Sequence, residues 1–200
     1  MDILQILSYL GIFLFAVTGV LKARTKRFDL IGAVILSFVM AYGGGTTRDL
    51  LIGIRPVSWI NDNFAIIIVL VATIITFFFK LNFKLIKKLL VLTDAFGIGF
   101  FTIVGLQIAL QAGISEGYAL IMGVITATFG GLLADVLCNS VPNLLKPGEL
   151  YATACLIGGA LYLAMRFFKI NHELSMIICV LITAAIRIYS IRKKLQLPVI

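Results

Sequence analysis

Two hundred residues that are 61% hydrophobic and only 13% charged, with a mean hydropathy of +1.11, cannot close into a water-soluble globule, because a soluble domain is about a quarter charged. That excludes a soluble enzyme, a disordered segment and a disulfide-stapled scaffold. The three cysteines, Cys138, Cys155 and Cys179, lack pairing or zinc-like spacing and read as core residues. The net charge of +8 sits mostly in short stretches between apolar runs, and reads as an orientation signal with no nucleic-acid partner implied.

A bilayer core of about 30 Å takes about 20 residues of helix. That ruler predicts seven spans, at about 3–21, 29–51, 63–80, 89–111, 117–138, 151–168 and 173–190. The first follows Met1 and Asp2 with no basic stretch before it, so it is expected to be retained as a span. Lys22, Arg24, Lys26 and Arg27 follow the first span, Lys80, Lys84, Lys87 and Lys88 the third, and Lys146 the fifth, while Arg192, Lys193 and Lys194 end the chain. All of these fall on one side. The positive-inside rule makes that side cytoplasmic, with the N-terminus outside and the C-terminus inside, and opposite termini require an odd number of spans.

Sliding the sequence against itself finds a match at a constant offset of 86, as between Gly11 and Gly97. Phe15, Gly19, Ala41, Gly44, Gly45, Asp49 and Pro56 then fall on Phe101, Gly105, Ala127, Gly130, Gly131, Asp135 and Pro142. Three helices per unit put the second unit into the membrane from the opposite face. The chain therefore reads as an all-α integral membrane protein, a single transmembrane domain over 1–200. Its parts are two inverted three-helix repeats, about 3–80 and 89–168, and a seventh helix at about 173–190 outside them. Inverted repeats place solute pathways near the midplane, between equivalent broken helices.

The second span carries Gly43, Gly44, Gly45, Thr46 and Thr47, and the fifth carries Thr126, Thr128, Gly130 and Gly131. Consecutive glycines weaken a helix by about 1 kcal/mol each relative to Ala, so a kink is expected in both. Carbonyls freed by a kink must be satisfied by protein or water, and facing a cavity they suit K⁺ or Na⁺; the threonine hydroxyls add oxygens at the same level. The competing expectation is that the glycines only let helices approach closely. Asp49 and Asp135 lie just beyond the glycines, where an unpaired carboxylate costs about 2.5–3.5 kcal/mol, so each should face a partner or water. Arg48 precedes Asp49, but neighbours on a helix point about 100° apart, which favours pairing across helices. Ala134 stands at the position equivalent to Arg48, leaving the two halves electrically unequal.

Asp94, expected near the start of the fourth helix, is either a cap or a pathway residue. Lys22 either snorkels or reaches the pathway, and Arg187 is expected to snorkel. Trp59 reads as an interfacial anchor, and His172, in a loop without companions, as no metal ligand. No nucleotide loop, activated nucleophile or metal cluster is present in the sequence, and neither cofactor nor catalysis is expected.

With Gly-Gly-Gly-Thr-Thr-Arg-Asp-Leu-Leu at 43–51, Arg55-Pro56, Asp-Ala-Phe-Gly at 94–97, Gly-Gly-Leu-Leu-Ala-Asp-Val-Leu at 130–137 and Glu-Leu-Tyr-Ala at 149–152, the chain resembles the prokaryotic branch of the trimeric intracellular cation channel family. The resemblance spans about residues 3–190. It implies a homotrimer in a prokaryotic inner membrane, in contact with membrane lipids, each protomer passing K⁺ and Na⁺ through a pore lined by the kinked second and fifth helices. By position it assigns Gly43, Gly44, Gly45, Gly130 and Gly131 to the kinks, and Arg48, Asp49 and Asp135 to the charged residues after them. Phe129 and Ala134 depart from the family pattern. The alternatives are a secondary transporter of a small zwitterion or cation working by alternating access, and a structural assembly subunit.

Overall fold

A computed structural model of the chain describes residues 2–146 and 150–195. Glu149, the first residue of the Glu-Leu-Tyr-Ala stretch, lies outside the described residues. Seven α-helices occur among those described: α1 (Ile3–Thr25), α2 (Leu30–Ile52), α3 (Asn63–Phe78), α4 (Phe83–Gln111), α5 (Glu116–Leu137), α6 (Tyr151–Phe167) and α7 (His172–Lys193), with one 3-10 turn at Asn143–Leu145. Five of the seven, all but α3 and α6, are both long and apolar enough to cross a bilayer. Each of α1, α2, α3, α4 and α7 starts where the side chain of Asp2, Asp29, Asp62, Asn82 or Asn171 accepts a hydrogen bond from a first-turn N–H, satisfying a donor that lipid could not.

The boundaries differ from the sequence expectation in two informative ways. Helix α4 starts at the Asn82 cap instead of near residue 89, so Lys84, Lys87 and Lys88 ride on its first two turns. Asp94 is consequently three turns inside the helix and buried, which removes the capping role for it. Helices α3 and α6, expected to run 63–80 and 151–168, are 16 and 17 residues long. At the end of α3 the Arg24 guanidinium donates to the carbonyls of Phe77 and Phe79, both at 2.5 Å, taking up acceptors the helix leaves open.

The inverted repeat is visible in the packing. In α1, Gly11 has the Phe101 ring against it, and in α4, Gly97 has the Phe15 ring against it; the two rings meet edge to face at 4.9 Å. A Cβ on Gly44 of α2 would run into the Thr126 carbonyl of α5, and one on Gly130 of α5 would run into the Met40 carbonyl of α2. Thr126 is the repeat mate of Met40 and Gly130 that of Gly44, so one contact is the other turned over. The same approximate twofold relates the Gly19 contact with the Leu36 carbonyl to the Gly105 contact with the Met122 carbonyl. Helix α7 stands outside this relation and packs on α4 and α6.

Candidate functional site

The glycines do not break their helices. Both α2 and α5 run as uninterrupted α-helix through 43–45 and 130–131, so neither helix is interrupted at its glycines. Gly44 and Gly130 are occupied instead by backbone of the opposite helix, the close approach that small residues allow in membranes. Gly43 lies on Leu133 and the Gly130 backbone, Gly45 faces open space with Arg48 Nη2 3.8 Å from where a Cβ would be, and Gly131 looks at the Tyr151 hydroxyl. Each of the threonine hydroxyls already makes a hydrogen bond. Thr47, Thr126 and Thr128 donate back to the carbonyls of Gly43, Met122 and Val124 within their own helices, and Thr46 accepts from the Trp59 indole N–H at 3.0 Å.

The two acidic residues are satisfied in nearly the same way. The main-chain carbonyl of Asp49 accepts from Ile54 N–H at 2.9 Å, and that of Asp135 from its repeat mate Ser140 at 2.9 Å. One carboxylate oxygen of each accepts a loop N–H just past the proline of its repeat: Ser58 at 2.8 Å for Asp49, and Asn143 at 3.0 Å for Asp135. The other oxygen takes a cation, and here the halves part. Arg48 Nε and Nη2 reach Asp49 Oδ1 at 2.9 and 2.6 Å, so the adjacent residues do pair directly, contrary to the sequence expectation; the long guanidinium arm curls back across the 100° between them. At Asp135, where Ala134 offers nothing, Lys22 of α1 donates to Oδ1 at 2.8 Å. Lys22 therefore turns inward, and the inequality introduced by Ala134 is made good from a neighbouring helix.

A third charged cluster was only half legible. Asp94 accepts from the Tyr151 hydroxyl at 2.8 Å and lies 3.5 Å from Arg187 Nη2, whose guanidinium sits 4.5 Å from the centre of the Tyr151 ring. Arg187 is 1% exposed, so it does not snorkel. A signal was available: Asp94 is an intramembrane carboxylate in need of a cation, and Arg187 is a cation inside the expected seventh span. Trp59 is no simple anchor either; it stacks on Tyr42 at 5.5 Å and meets Phe38 edge-on. His172 opens α7, with its Nδ1 3.0 Å from the Tyr162 hydroxyl.

Cavities lie on both sides of the α2–α5 crossing. On the N-terminal side one of about 300 Å³ is lined by Leu4, Gln5, Ser8, Val104 and Ile108, together with Asp2. On the basic side one of about 150 Å³ is lined by Leu90, Val91, Asp94, Thr18 and Lys22, with Asn143, Arg187 and Ile191. The first five residues of each set are repeat mates. A further cavity of about 80 Å³ shares Ser8, Val104 and Ile108 with the first and reaches inward to Ile12, Phe101, Gly45, Arg48, Asp49 and Thr126. Thus Gly45, Arg48, Asp49 and Thr126 come together on one side and Lys22 and Asp94 on the other, with Asp135 behind Lys22. Gly43, Gly44, Thr46, Thr47, Thr128, Gly130 and Gly131 are not among the residues lining these cavities. Among the described residues no group of His, Cys, Asp or Glu could hold a metal ion.

A family model described as glycine transporter matches the chain twice, over residues 5–80 and 91–166, the same 86-residue offset that the packing displays. The crystallised trimeric intracellular cation channel orthologue of Rhodobacter sphaeroides is 34% identical, superposes with a TM-score of 0.90, and is matched over 98% of this chain and 100% of its own. The chain is a prokaryotic member of the trimeric intracellular cation channel family. A second such channel, crystallised in 0.5 M KCl, is 31% identical with a TM-score of 0.89, over 98% of both chains. Among the family's sequences, the UPF0126 inner membrane protein YadS of Escherichia coli K12 is 35% identical over 96% of this chain and 93% of its own. A Vibrio cholerae membrane protein is 36% identical over 98% and 82%. The solved relatives are channels, not enzymes, and the seven-helix fold with its inverted repeat is that of the family.

Proposed function

We propose that the protein is a cation channel, passing K⁺ and Na⁺ through a path inside each protomer of a homotrimer. The path runs from the N-terminal cavities past the α2–α5 crossing to the basic-side cavity, between α1, α2, α4 and α5. Residues 1–200 act as one transmembrane unit, with the N-terminus outside the inner membrane and the basic loops in the cytoplasm, in keeping with the positive-inside rule. The observation that carries this reading is the pair of mate-lined cavities facing each other across the crossing, in a chain 34% identical to a cation channel of known structure. Because the helices are continuous, permeant ions meet water and side chains here, with Gly45, Asp49 and Thr126 on the outer side and Lys22, Asp94 and Asp135 on the inner. Asp62, which has no Lys or Arg within ion-pair distance among the described residues, supplies the negative field that favours cations.

Planar-bilayer recording of purified protein in asymmetric KCl, NaCl and mixed salts tests the proposal. Unitary currents reversing near the K⁺ or Na⁺ potential and away from the Cl⁻ potential are expected; a Cl⁻-like reversal, or no currents in a folded preparation, overturns it. The second reading is a secondary transporter of a small zwitterion, supported by the description of the matching family model. Saturable, Na⁺- or proton-coupled glycine uptake into liposomes without unitary currents would establish it in place of the channel.

A further inference from the structure

The inner end of the N-terminal cavity holds polar groups that its own neighbours leave unanswered. Tyr42 lines it, is 5% exposed, and its hydroxyl is buried without a hydrogen-bond partner among the described residues. An orphaned buried hydroxyl is costly and asks for an occupant. Asp62 lines the same cavity. Its Oδ1 accepts from Ala65 N–H at 2.9 Å and from Tyr9 at 3.4 Å; among the described residues Oδ2 takes no hydrogen bond and no Lys or Arg lies within ion-pair distance. Arg48 and Asp49 cancel each other in the wall, so the cavity carries one uncompensated negative charge. The rest of its wall is aromatic and aliphatic: the stacked Tyr42 and Trp59 rings, with Ile12, Phe101 and Val104.

We propose that this cavity binds a small primary ammonium compound, with the charged nitrogen between Asp62 and the Tyr42 hydroxyl and the short alkyl part against the Trp59, Tyr42 and Phe101 rings. One net negative charge selects a monocation. Aromatic faces attract an organic cation and cover its alkyl part, and a divalent ion would find too few oxygens and too many carbons. A carboxylate on the ligand meets Asp62 and Asp49 instead of a free cation, because Arg48 is already taken by Asp49. This rests on the channel reading in one respect only: seated there, the ammonium ion occupies the outer half of the path and obstructs inward current.

Ethylammonium chloride is the probe, titrated calorimetrically into the full-length protein in detergent and added on the outer side in bilayer recordings. Saturable binding is expected, weaker by about tenfold or more in Asp62→Asn, since a charge-assisted hydrogen bond is lost, and by several-fold in Tyr42→Phe. Asn is as good a helix cap as Asp, so Asp62→Asn keeps α3 and changes only the charge. Glycine should bind at least about tenfold more weakly than ethylammonium. Absence of saturable ethylammonium binding, undiminished binding in Asp62→Asn, or glycine binding as tight as ethylammonium each overturns the inference. K⁺ currents without ethylammonium binding or block remove this site and leave the channel; binding without K⁺ currents leaves this site and removes the channel.

Discussion

Adding one methyl group at successive positions of the second helix separates the two roles that glycines play in membranes. On Gly44 a Cβ collides with the Thr126 carbonyl oxygen and stands 2.8 Å from the carbonyl carbon. Backbone cannot rotate aside as a side chain does, so α2 and α5 must part. Overpacking costs about 1–3 kcal/mol, with the upper half of the range appropriate here, and exchanging Gly for Ala in a helix returns about 1 kcal/mol. Gly44→Ala should therefore destabilise by about 1–2 kcal/mol, as should Gly130→Ala, which strikes the Met40 carbonyl in the twofold-related contact. On Gly45 the nearest atom is Arg48 Nη2 at 3.8 Å, so nothing is displaced and Gly45→Ala should stabilise by about 0.5–1 kcal/mol. Gly131→Ala, meeting only the end of the Tyr151 side chain at 3.0 Å, should fall between. Thermal and SDS-titrated unfolding of the four purified variants measures the order. If Gly45→Ala is as damaging as Gly44→Ala, the glycines act as hinges and the close-contact argument is wrong.

The Lys22–Asp135 pair should behave as a coupled unit. Lys22→Gln and Asp135→Asn are each expected to cost about 1–3 kcal/mol, below the 3–5 kcal/mol of a fully buried pair because the Lys22 side chain is 13% exposed. The double variant should cost about 1 kcal/mol or more less than the sum, and additive losses in unfolding titrations would deny the pairing. Tyr151→Phe removes the hydroxyl that Asp94 accepts from and should cost about 1–2 kcal/mol; a neutral result would mean Arg187 alone satisfies that carboxylate. In a background with the native cysteines replaced, Ser8→Cys should react with a membrane-impermeant thiol reagent applied outside intact cells and Asn143→Cys should not, the pattern reversing in inverted membrane vesicles. Labelling from the opposite sides would invert the proposed orientation, and labelling at neither would argue that the cavities are dry.

Much of the fold was legible because lipid leaves a chain few choices. Apolar runs of sufficient length must be helices, charge asymmetry orders their sides, and a duplicated Gly-Gly-x-x-x-Asp reveals the repeat even though most side chains have diverged. The span at α3 was overestimated by two residues because hydropathy does not see that Arg24 takes up the carbonyls at its end. The site was less legible, for a different reason. A glycine weakens a helix only when nothing holds it, and backbone from the opposing helix holds Gly44 and Gly130; that partner lies in the other repeat, 82 residues from Gly44 to Thr126 and 90 from Met40 to Gly130, where local reasoning does not reach. Lys22 with Asp135 and Arg187 with Asp94 are likewise pairings over long sequence distance. Each follows from the requirement that intramembrane carboxylates find cations, but that requirement alone does not say which cation serves which carboxylate.

The way the two aspartates are neutralised gives the symmetric scaffold unlike ends. On the N-terminal side the cation and carboxylate belong to consecutive residues of one helix, Arg48 and Asp49 in α2, with Ser58 of the following loop as the further partner. Any motion of α1 or α4 relative to α2 leaves that pair intact. On the basic side the cation comes from α1 and the carboxylate from α5, and Lys22 itself lines the cavity. Widening that cavity by drawing α1 away from α5 must lengthen a 2.8 Å ion pair in a poorly hydrated setting, where charge interactions are strongest. With Ala134 at the position equivalent to Arg48, the cation that neutralises Asp135 sits on a different helix from its carboxylate, so the Lys22–Asp135 pair ties α1 to α5 where the Arg48–Asp49 pair ties no two helices together.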